Sequence, residues 1–481
     1  MKLVFEKSVK GRRGLRLPVS DVPASSGLDP RYLRKEPAAL PEISELDLVR
    51  HFTRLSRMNF SVDTNYYPLG SCTMKYNPKC TEEVAKLPGF ADLHPLMPQI
   101  GSGAFLAQGA LEVLYETERL FSEITGMKEV TTEPLAGAHG ELTGVMLIAA
   151  YHKSRKNKKR YVIVPDSSHG TNPASAAIAG YELVSIPTAA DGCMDMEIYK
   201  SKLTDEVAAV MLTCPNTLGI FNEKIKEVAD LAHGVDALMY YDGANLNGML
   251  GKCRPGDIGF DVVHLNLHKT FSTPHGGGGP GGGPVGVKDK LVDFLPVPKV
   301  AKKKDGSFIL EDNKPASIGR IAPFYGNFGV ILKAYAYLLL LGGRGLLEAA
   351  EGAVLNANYC LARLKKAYEI PYDRICMHEF VLSASRQSKK GIRALDIAKF
   401  LIDNGMHPPT VYFPLIVKEA MMIEPTETES KATLDDFIKI MLEAARLADE
   451  NPDRLKKAPV TMPVTRLDEA KAARELNCCH R

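Results

Sequence analysis

A lysine after one apolar segment and an aspartate at the end of another are the residues of this sequence best placed for chemistry. Lys269 lies near the end of His264–Phe271, shortly before the glycine-rich run His275–Gly283. Asp242 ends the apolar segment Ala237–Tyr241. A lysine amine that forms a Schiff base and an aspartate that faces a pyridinium nitrogen are the pair on which pyridoxal 5'-phosphate (PLP) enzymes depend. The two residues therefore predict a PLP site.

Both residues also have an ordinary structural interpretation. A lysine at a strand end often lays its aliphatic chain on apolar surface and its amine in water. An Asp-Gly pair often forms a turn. The alternating residues Val263, Leu265 and Leu267 indicate a buried strand before the lysine. In that context we favour a Schiff-base role for Lys269 and a nitrogen-facing role for Asp242.

His139 is a third candidate. It stands between Ala138 and Gly140, where a helix is predicted to begin. Small residues at a helix start let backbone N–H groups approach a phosphate, and the imidazole ring would then stack on the cofactor. The alternative is a solvent-exposed loop histidine.

The glycine-rich run and a histidine pair match other motifs only formally. Seven glycines in the eight positions of 276–283 satisfy the dinucleotide pattern by chance, Pro280 interrupts them, and no helix follows. We interpret the run as a mobile loop beside Lys269. His264 and His268 have an HxxxH spacing without a catalytic glutamate, so we predict no metal site there.

The elements that must position these residues alternate along the middle of the chain. We predict strands at 161–165, 182–186, 207–213, 238–241, 261–267 and 284–287, and helices at 111–124, 140–153, 173–180 and 222–234. Apolar strands separated by helices form a mostly parallel sheet covered on both faces, which is an α/β fold. Ligands bind at the carboxyl ends of such strands, where Thr213, Asp242 and Lys269 fall.

Composition limits the class of protein. A chain of 481 residues exceeds one hydrophobic core, and 45% hydrophobic and 24% charged residues are ordinary for a globular protein. A net charge of +3 argues against a nucleic-acid surface. Nine cysteines without a CxxC pair, with Cys478 and Cys479 adjacent at the end, favour a reducing cytoplasm.

The two ends of the chain differ from its middle. Residues 1–50, rich in proline and charge, predict an extended arm, and we divide the chain into an arm and helical segment (1–110), a large PLP-binding domain (111–330) and a small C-terminal domain (331–481). A long helix after Asn327 is predicted to be interrupted at Gly342-Gly343. The N-terminus has no apolar signal region and no apolar run reaches membrane length, so we expect a soluble protein.

Several longer motifs resemble one known family. One of these motifs contains Lys269 and another contains Asp242. The motifs are His-Leu-Asn-Leu-His-Lys-Thr-Phe (264–271), Tyr-Asp-Gly-Ala-Asn (241–245), Cys-Arg-Pro-Gly-Asp (253–257), Ala-Gly-Ala-His-Gly-Glu (136–141), Pro-Leu-Gly-Ser-Cys-Thr-Met-Lys (68–75) and the segment Pro165–Pro173. Together they resemble the P-protein of the glycine cleavage system, the decarboxylating glycine dehydrogenase. The chain has about half the length of the fused form, and because it keeps the His-Lys site it resembles the second, PLP-bearing subunit of the two-subunit type.

The resemblance implies a fold and a reaction. The family fold is that of aspartate aminotransferase (PLP fold type I), with a smaller C-terminal α/β domain. The implied reaction is decarboxylation of glycine and transfer of its aminomethyl group to the lipoyl arm of H-protein. The implied partners are glycine, H-protein and a homologous first subunit in a heterotetramer, without nucleic acid or membrane.

The resemblance also implies residue roles. Lys269, Asp242 and His139 would be catalytic, with His139 stacked on the ring. Phosphate contacts would come from the backbone of Ala138 and His139 and from His268. Asn216 or Thr217 would contact the ring hydroxyl, and Ala244 completes the cofactor-binding set.

Some assignments stay open. The segment 66–77 is implied to line the substrate site or lipoyl channel, and Cys72 within it is expected to be a buried small side chain rather than a nucleophile. Arg320, His378 and His407 are candidates for binding the glycine carboxylate. Alternative functions are another PLP decarboxylase or aminotransferase of the same fold, or a non-catalytic supporting subunit.

Overall fold

A computed structural model describes residues 2–23, 27–36, 38–100, 103–279 and 281–477. Cys478 and Cys479 lie outside these residues, as does Pro280 of the glycine-rich loop. The chain forms two compact units, one ending at Ser61 and the other beginning at Val62.

The N-terminal unit is irregular and mostly exposed up to its one α-helix. It has short 3-10 turns at Phe5–Lys7 and Pro30–Tyr32, and then α1 (Glu45–Ser56). The Ser44 hydroxyl accepts the backbone N–H of Asp47 and so caps the start of α1. The described backbone before α1 is mostly exposed, and the extended arm stays a prediction.

The second unit contains all twelve strands of the described chain and the remaining helices. The strands are β1 (Glu129–Thr131), β2 (Tyr161–Pro165), β3 (Glu182–Ile186), β4 (Val207–Leu212), β5 (Leu238–Gly243), β6 (Val262–Leu265), β7 (Val285–Val287), β8 (Lys299–Lys302), β9 (Phe308–Glu311), β10 (Phe380–Ser383), β11 (Thr410–Val411) and β12 (Ala420–Ile423). The helices are α2 (Lys79–Ala85), α3 (Pro88–Ala91), α4 (Gly103–Leu106), α5 (Gln108–Thr125), α6 (Gly137–Ser154), α7 (Thr171–Ile178), α8 (Met196–Lys202), α9 (Ile225–Gly234), α10 (Pro255–Ile258), α11 (Phe328–Leu364), α12 (Ser385–Ser388), α13 (Ala394–Asp403), α14 (Lys431–Glu450), α15 (Pro452–Lys457) and α16 (Glu469–Arg474).

The main sheet has seven strands in the order β1-β7-β6-β5-β4-β2-β3. Neighbouring strands from β3 to β6 pair in parallel, whereas β7 is antiparallel to both β6 and β1. The predicted mostly parallel sheet is therefore confirmed. The predicted strands and helices are all present, with ends that differ by up to three residues.

The core lies on both faces of this sheet, because successive strand side chains point to opposite sides. In β4, Val210 and Leu212 pack in one buried cluster, while Ala209 and Met211 pack in another. Both faces being buried explains why the sequence of β4 is a continuous apolar run.

Helix α11 is the longest element. By length and composition alone it is able to cross a membrane. However, Ile331 and Ala334 in its first half are fully buried in the protein core, and Gly342 breaks the helical geometry with φ 57° and ψ −177°. These features are those of a kinked helix that packs against the core with part of its surface, and the predicted interruption at Gly342 is confirmed.

A smaller sheet, in the order β10-β12-β11, packs with α13 and α14 around a separate apolar cluster. Among the elements of the second unit that sequence analysis missed are β1, α8 and the β8–β9 hairpin. The predicted domain boundaries at 110/111 and 330/331 stay predictions.

Candidate active site

A polar cavity of about 140 Å³ lies where β4, β5 and β6 end. Its lining includes six of the eight predicted cofactor-binding residues: Ala138, Asn216, Thr217, Asp242, Ala244 and Lys269. Thr213, which follows β4, lines it as well. The parallel sheet therefore brings its strand ends to one place, as the sequence predicted.

Lys269 reaches the cavity from the turn that follows β6. Leu267 and Phe271, both fully buried, hold the turn on either side of the lysine. The hydroxyl of Thr270 accepts the backbone N–H of Leu246 at 2.8 Å, which ties the turn to the segment after β5. Within the described chain the Lys269 amine has no hydrogen bond and no ion pair, so it is free for a covalent partner.

Asp242 is buried at the end of β5 and surrounded by donors. Its carboxylate accepts the Asn172 amide at 2.9 Å and the Ala244 backbone N–H at 3.1 Å, and it lies 3.3 Å from Nε2 of His264. Burial alone would raise the pKa of Asp242, but His264, Asn172 and Lys269 outweigh it and hold the pKa below its usual value. Asp242 is therefore an anion at neutral pH.

Behind Asp242, a buried polar chain leads away from the cavity. The Tyr240 hydroxyl lies 2.9 Å from Nδ1 of His264 and 3.3 Å from the backbone carbonyl oxygen of Glu141, so its single proton serves one of these two acceptors at a time. Burial and the nearby charge of Asp242 raise the pKa of Glu141 to about 7. In the predicted HxxxH pair, His264 contacts Asp242 and Tyr240, whereas the His268 ring packs near His275, so the two imidazoles have different neighbours.

The start of α6 forms another wall. Gly137 and Ala138 line the cavity, and the cap residue Ala136 provides no side-chain acceptor for the first backbone N–H groups. A side chain at residue 137 would collide with Asn266, and one at residue 140 with the backbone of Gly283. Glycine is thus required where this helix passes close to the loops after β6.

The structure does not bring His139 into the cavity lining. Its Nδ1 accepts the backbone N–H of Leu135 at 3.2 Å, so the ring folds back on its own loop. His169 lines the cavity in its place and lies between β2 and α7. Burial lowers its pKa, and Lys269 lowers it further. The signal available in the sequence was the Pro165–Pro173 motif at the end of β2.

The remaining predicted residues have mixed placements. The Asn216 side chain accepts from Leu218 and Ile220 in its own loop and donates to the Gly192 carbonyl of the segment after β3. Thr217 donates to the Ser167 carbonyl at 2.5 Å and keeps acceptor capacity toward the cavity.

His268 is not in the cavity lining. Its buried Nδ1 has no hydrogen-bond partner in the described chain, and burial lowers its pKa to about 3. His268 is therefore neutral at physiological pH.

The segment 66–77 and the small sheet complete the cavity. Ser71, His378 and Glu379 line it. Of the three carboxylate-binding candidates only His378 is there: Arg320 pairs with Asp312, and His407 stacks on Tyr67. Cys72 is half-buried rather than fully buried, and its burial raises the pKa of its thiol.

Lys75 anchors the same segment. It is 3% exposed, and its amine donates to the Thr270 carbonyl at 2.7 Å, to Tyr337 at 3.1 Å and to Glu427 at 2.7 Å. Because Thr270 follows Lys269, this buried ion pair fixes the turn that carries the candidate Schiff-base lysine. Sequence analysis did not single out Lys75.

Comparisons with known proteins agree with this architecture. A family model described as glycine cleavage system P-protein matches residues 20–307, and one described as glycine dehydrogenase, C-terminal domain, matches residues 349–459. A probable glycine dehydrogenase (decarboxylating) subunit 2 from Listeria welshimeri is 56% identical over 479 residues, covering 99% of this chain and 97% of the relative. The protein of the same description from Chlorobaculum tepidum is 56% identical over 485 residues, covering 99% of each.

Two solved structures share the fold. A glycine decarboxylase (P-protein) of the glycine cleavage system, in inhibitor-bound form, has a TM-score of 0.71 at 22% identity and covers 86% of this chain and 93% of its own. A cysteine desulfurase from Thermococcus onnurineus NA1 has a TM-score of 0.60 at 15% identity, with 79% and 95% covered. These likenesses confirm the predicted PLP fold type I.

Proposed function

Because this chain belongs to the glycine cleavage system P-protein family, we propose that it is the PLP-bearing subunit of a decarboxylating glycine dehydrogenase. In this proposal it removes CO2 from glycine and passes the aminomethyl group to the lipoyl arm of H-protein. The observation that carries the proposal is the single cavity shared by Lys269 and Asp242. The identity to relatives over almost the whole chain supports the same reaction.

The residues present fit PLP. An amine without a partner, an ionised carboxylate, and a helix start without a side-chain cap meet at one cavity. Lys269 would hold the aldehyde carbon, Asp242 the ring nitrogen, and the backbone N–H groups of Ala138 and His139 the phosphate. The neutral His268, whose Nδ1 is unpaired, is able to add one hydrogen bond to the phosphate but no charge.

When bound, PLP supplies an electron-poor ring that takes up the electron pair left on the glycine carbon as CO2 departs. The residues of the chain make this possible. Asp242, kept anionic by the Asn172 and Ala244 donors and by the nearby His264 and Lys269, would hold the proton on the ring nitrogen. His169, which faces the same cavity, is the imidazole we propose for the ring contact first expected of His139.

The cavity also suits a substrate without a side chain. Its volume is about 140 Å³, and polar side chains, including Asn245, His378 and Glu379, border it. An aminotransferase acting on a dicarboxylate would need an arginine for the second carboxylate. No arginine is among the residues that line this cavity in the described chain. A non-catalytic role is disfavoured by the Lys269 and Asp242 pair.

The partners follow from the family. The relatives are named subunit 2, and we propose a homologous first subunit, a heterotetrameric assembly and a lipoylated H-protein as acceptor. We propose that the protein acts in the cytoplasm.

The function is tested with carboxyl-labelled glycine. The chain is combined with a first subunit and lipoylated H-protein, and labelled CO2 is measured. We expect CO2 release from the wild-type chain and none from Lys269→Ala. No release from the wild-type assembly would refute the function, and unchanged release from the variant would refute the role of Lys269.

A further inference from the structure

Three buried titratable residues cluster at the cavity, and the account above gives none of them a catalytic role. His378 and Glu379 precede β10, and Glu424 follows β12. Their potential ligand atoms lie within 4.8 Å of one another, and all three side chains are almost fully buried. His378 and Glu379 line the cavity itself, together with Lys269.

The hydrogen bonds show which of the two carboxyl groups carries a proton. Glu424 accepts three of them: the Thr73 backbone N–H at 2.9 Å, the Thr73 hydroxyl at 2.7 Å and the Asn245 amide at 2.9 Å. Glu379 accepts one, from the backbone N–H of Ser71 at 2.7 Å. Two buried carboxylates this close do not both ionise, and the one with more donors keeps the charge. Glu379 is therefore the neutral acid.

The electrostatic surroundings agree with this assignment. Burial, followed by the charge of Glu424, raises the pKa of Glu379 well above its usual value, and the opposing influences of Ser71 and Lys269 do not cancel the effect. Glu379 thus holds a proton at neutral pH at the edge of the cavity.

His378 lies next to this proton. It is 2% exposed, neither ring nitrogen has a hydrogen-bond partner in the described residues, and its Nε2 is 3.8 Å from Oε1 of Glu379. Burial lowers its pKa, so the ring is neutral and able both to accept and to donate a proton. An unpaired neutral imidazole beside the carboxylic acid, at the same cavity, is suited to restoring a proton that the acid has given away.

The proposed function requires such a proton. When CO2 leaves, an electron pair remains on the aminomethyl carbon. This carbon forms a C–S bond with one sulfur of the lipoyl disulfide, the S–S bond breaks, and its electron pair moves to the second sulfur. The carbon is oxidised, the disulfide is reduced, and the departing sulfur must take up one proton to become a thiol.

Resting on that function, we propose that Glu379 is the catalytic acid of the aminomethyl transfer and gives its proton to the departing sulfur. His378 returns a proton from water, so one proton is consumed in each turnover. Glu424 stays ionised and fixes Thr73 and Asn245 beside the acid.

The first test is Glu379→Gln in the full assembly with a first subunit and lipoylated H-protein. Glutamine keeps an acceptor for the Ser71 N–H but has no proton to transfer. We expect transfer to the lipoyl arm to fall about a hundredfold relative to CO2 release from glycine. When the transfer fails, the aminomethyl carbon takes up a proton instead. Methylamine then accumulates relative to the aminomethyl-lipoyl product.

The second test needs no cofactor and no turnover. The infrared spectrum of the full chain without PLP should contain the carbonyl stretch of a neutral carboxylic acid, lost in Glu379→Gln. Glu133→Gln is the matched control: Glu133 is also buried, burial raises its pKa to about 9, and it does not line the cavity. This control should lose a neutral-acid band of its own and transfer at the wild-type rate.

Three results would overturn the assignment. One is transfer at the wild-type rate by Glu379→Gln, or no infrared difference between it and the wild type. Another is a proportional loss of CO2 release, transfer and PLP absorbance, which indicates a structural role. The third is a divalent metal that copurifies with the wild-type chain and is lost from the variant. A wild-type assembly that releases no CO2 would instead refute the proposed function, and this inference with it.

Discussion

Asp242 and His264 are direct partners on neighbouring parallel strands, with Nε2 of His264 3.3 Å from Oδ1 of Asp242. Burial lowers the pKa of His264, so the ring is neutral at physiological pH. Nδ1 of His264 lies 2.9 Å from the Tyr240 hydroxyl. The strand register therefore places an imidazole nitrogen beside the aspartate, where it helps to keep the carboxylate ionised.

Asp242→Asn should abolish the reaction while the chain still folds and binds PLP. Asparagine is nearly the same size but cannot hold the proton on the ring nitrogen. We expect glycine decarboxylation to fall by at least about a hundredfold, because the ring no longer takes up the electron pair efficiently. The control is Asp261→Asn, another buried aspartate, which pairs with His233 and Lys290 outside the cavity. Equal loss of activity in both variants would contradict a specific role for Asp242.

Lys75→Met should destabilise the protein and disturb the Lys269 turn. The variant leaves Glu427 as an unpaired buried charge, for which we expect a loss of about 3 kcal/mol in the free energy of unfolding. The double variant Lys75→Met with Glu427→Leu should lose much less than the sum of the two single losses. Chemical denaturation of the four proteins measures this coupling, and additive losses would show that the pair is not coupled.

Glu133→Gln should stabilise the protein, increasingly so as the pH rises. The pKa of Glu133 is raised to about 9 by burial, so between its usual pKa and that value the folded chain holds a proton that the unfolded chain releases. The contribution of Glu133 to the free energy of unfolding therefore decreases as the pH rises through that range, by up to about 1.4 kcal/mol per pH unit. Glutamine does not titrate, so the variant does not show this decrease. Denaturation midpoints from pH 5 to about 8 test the trend, and a gain that does not grow with pH would contradict it.

His268→Asn should weaken the dependence of stability on acid. Burial lowers the pKa of His268 to about 3. As the pH falls below the usual histidine pKa, this residue therefore binds a proton in the unfolded chain but not in the folded chain. Stability from this residue is complete above that range and decreases as pH falls, by up to about 1.4 kcal/mol per pH unit. The PLP-free variant should show a smaller slope of unfolding free energy between pH 6 and about 4. An unchanged slope would show that His268 is not protected from protonation.

The sequence was most informative where structure is local. An apolar run that ends in one polar residue predicts both a strand and a side chain at its carboxyl end, so Lys269, Asp242 and Thr213 were placed correctly at the cavity. Local sequence did not distinguish His139 from His169, since each lies close to the start of a helix. Which ring faces the cavity depends on how α6 and α7 pack on the sheet.

The rest of the site depends on contacts between distant parts of the chain. Glu379 meets the Ser71 backbone across more than 300 residues, and Lys75 meets Glu427 across a similar separation. No periodicity links such positions. The hairpin β8–β9 was missed for a different reason. Its strands contain several charged residues, as in Lys299–Lys302, so the sequence lacks the clear apolar alternation that predicts a strand.

The most direct test of the account is borohydride reduction of the purified chain with PLP, followed by absorption spectroscopy and peptide mapping. We predict a visible absorption band that disappears on reduction, with the cofactor then fixed on the peptide that contains Lys269 and no such band in Lys269→Ala. A chain without the band, or a cofactor fixed on another lysine such as the buried Lys75, would contradict the claim that Lys269 holds the cofactor.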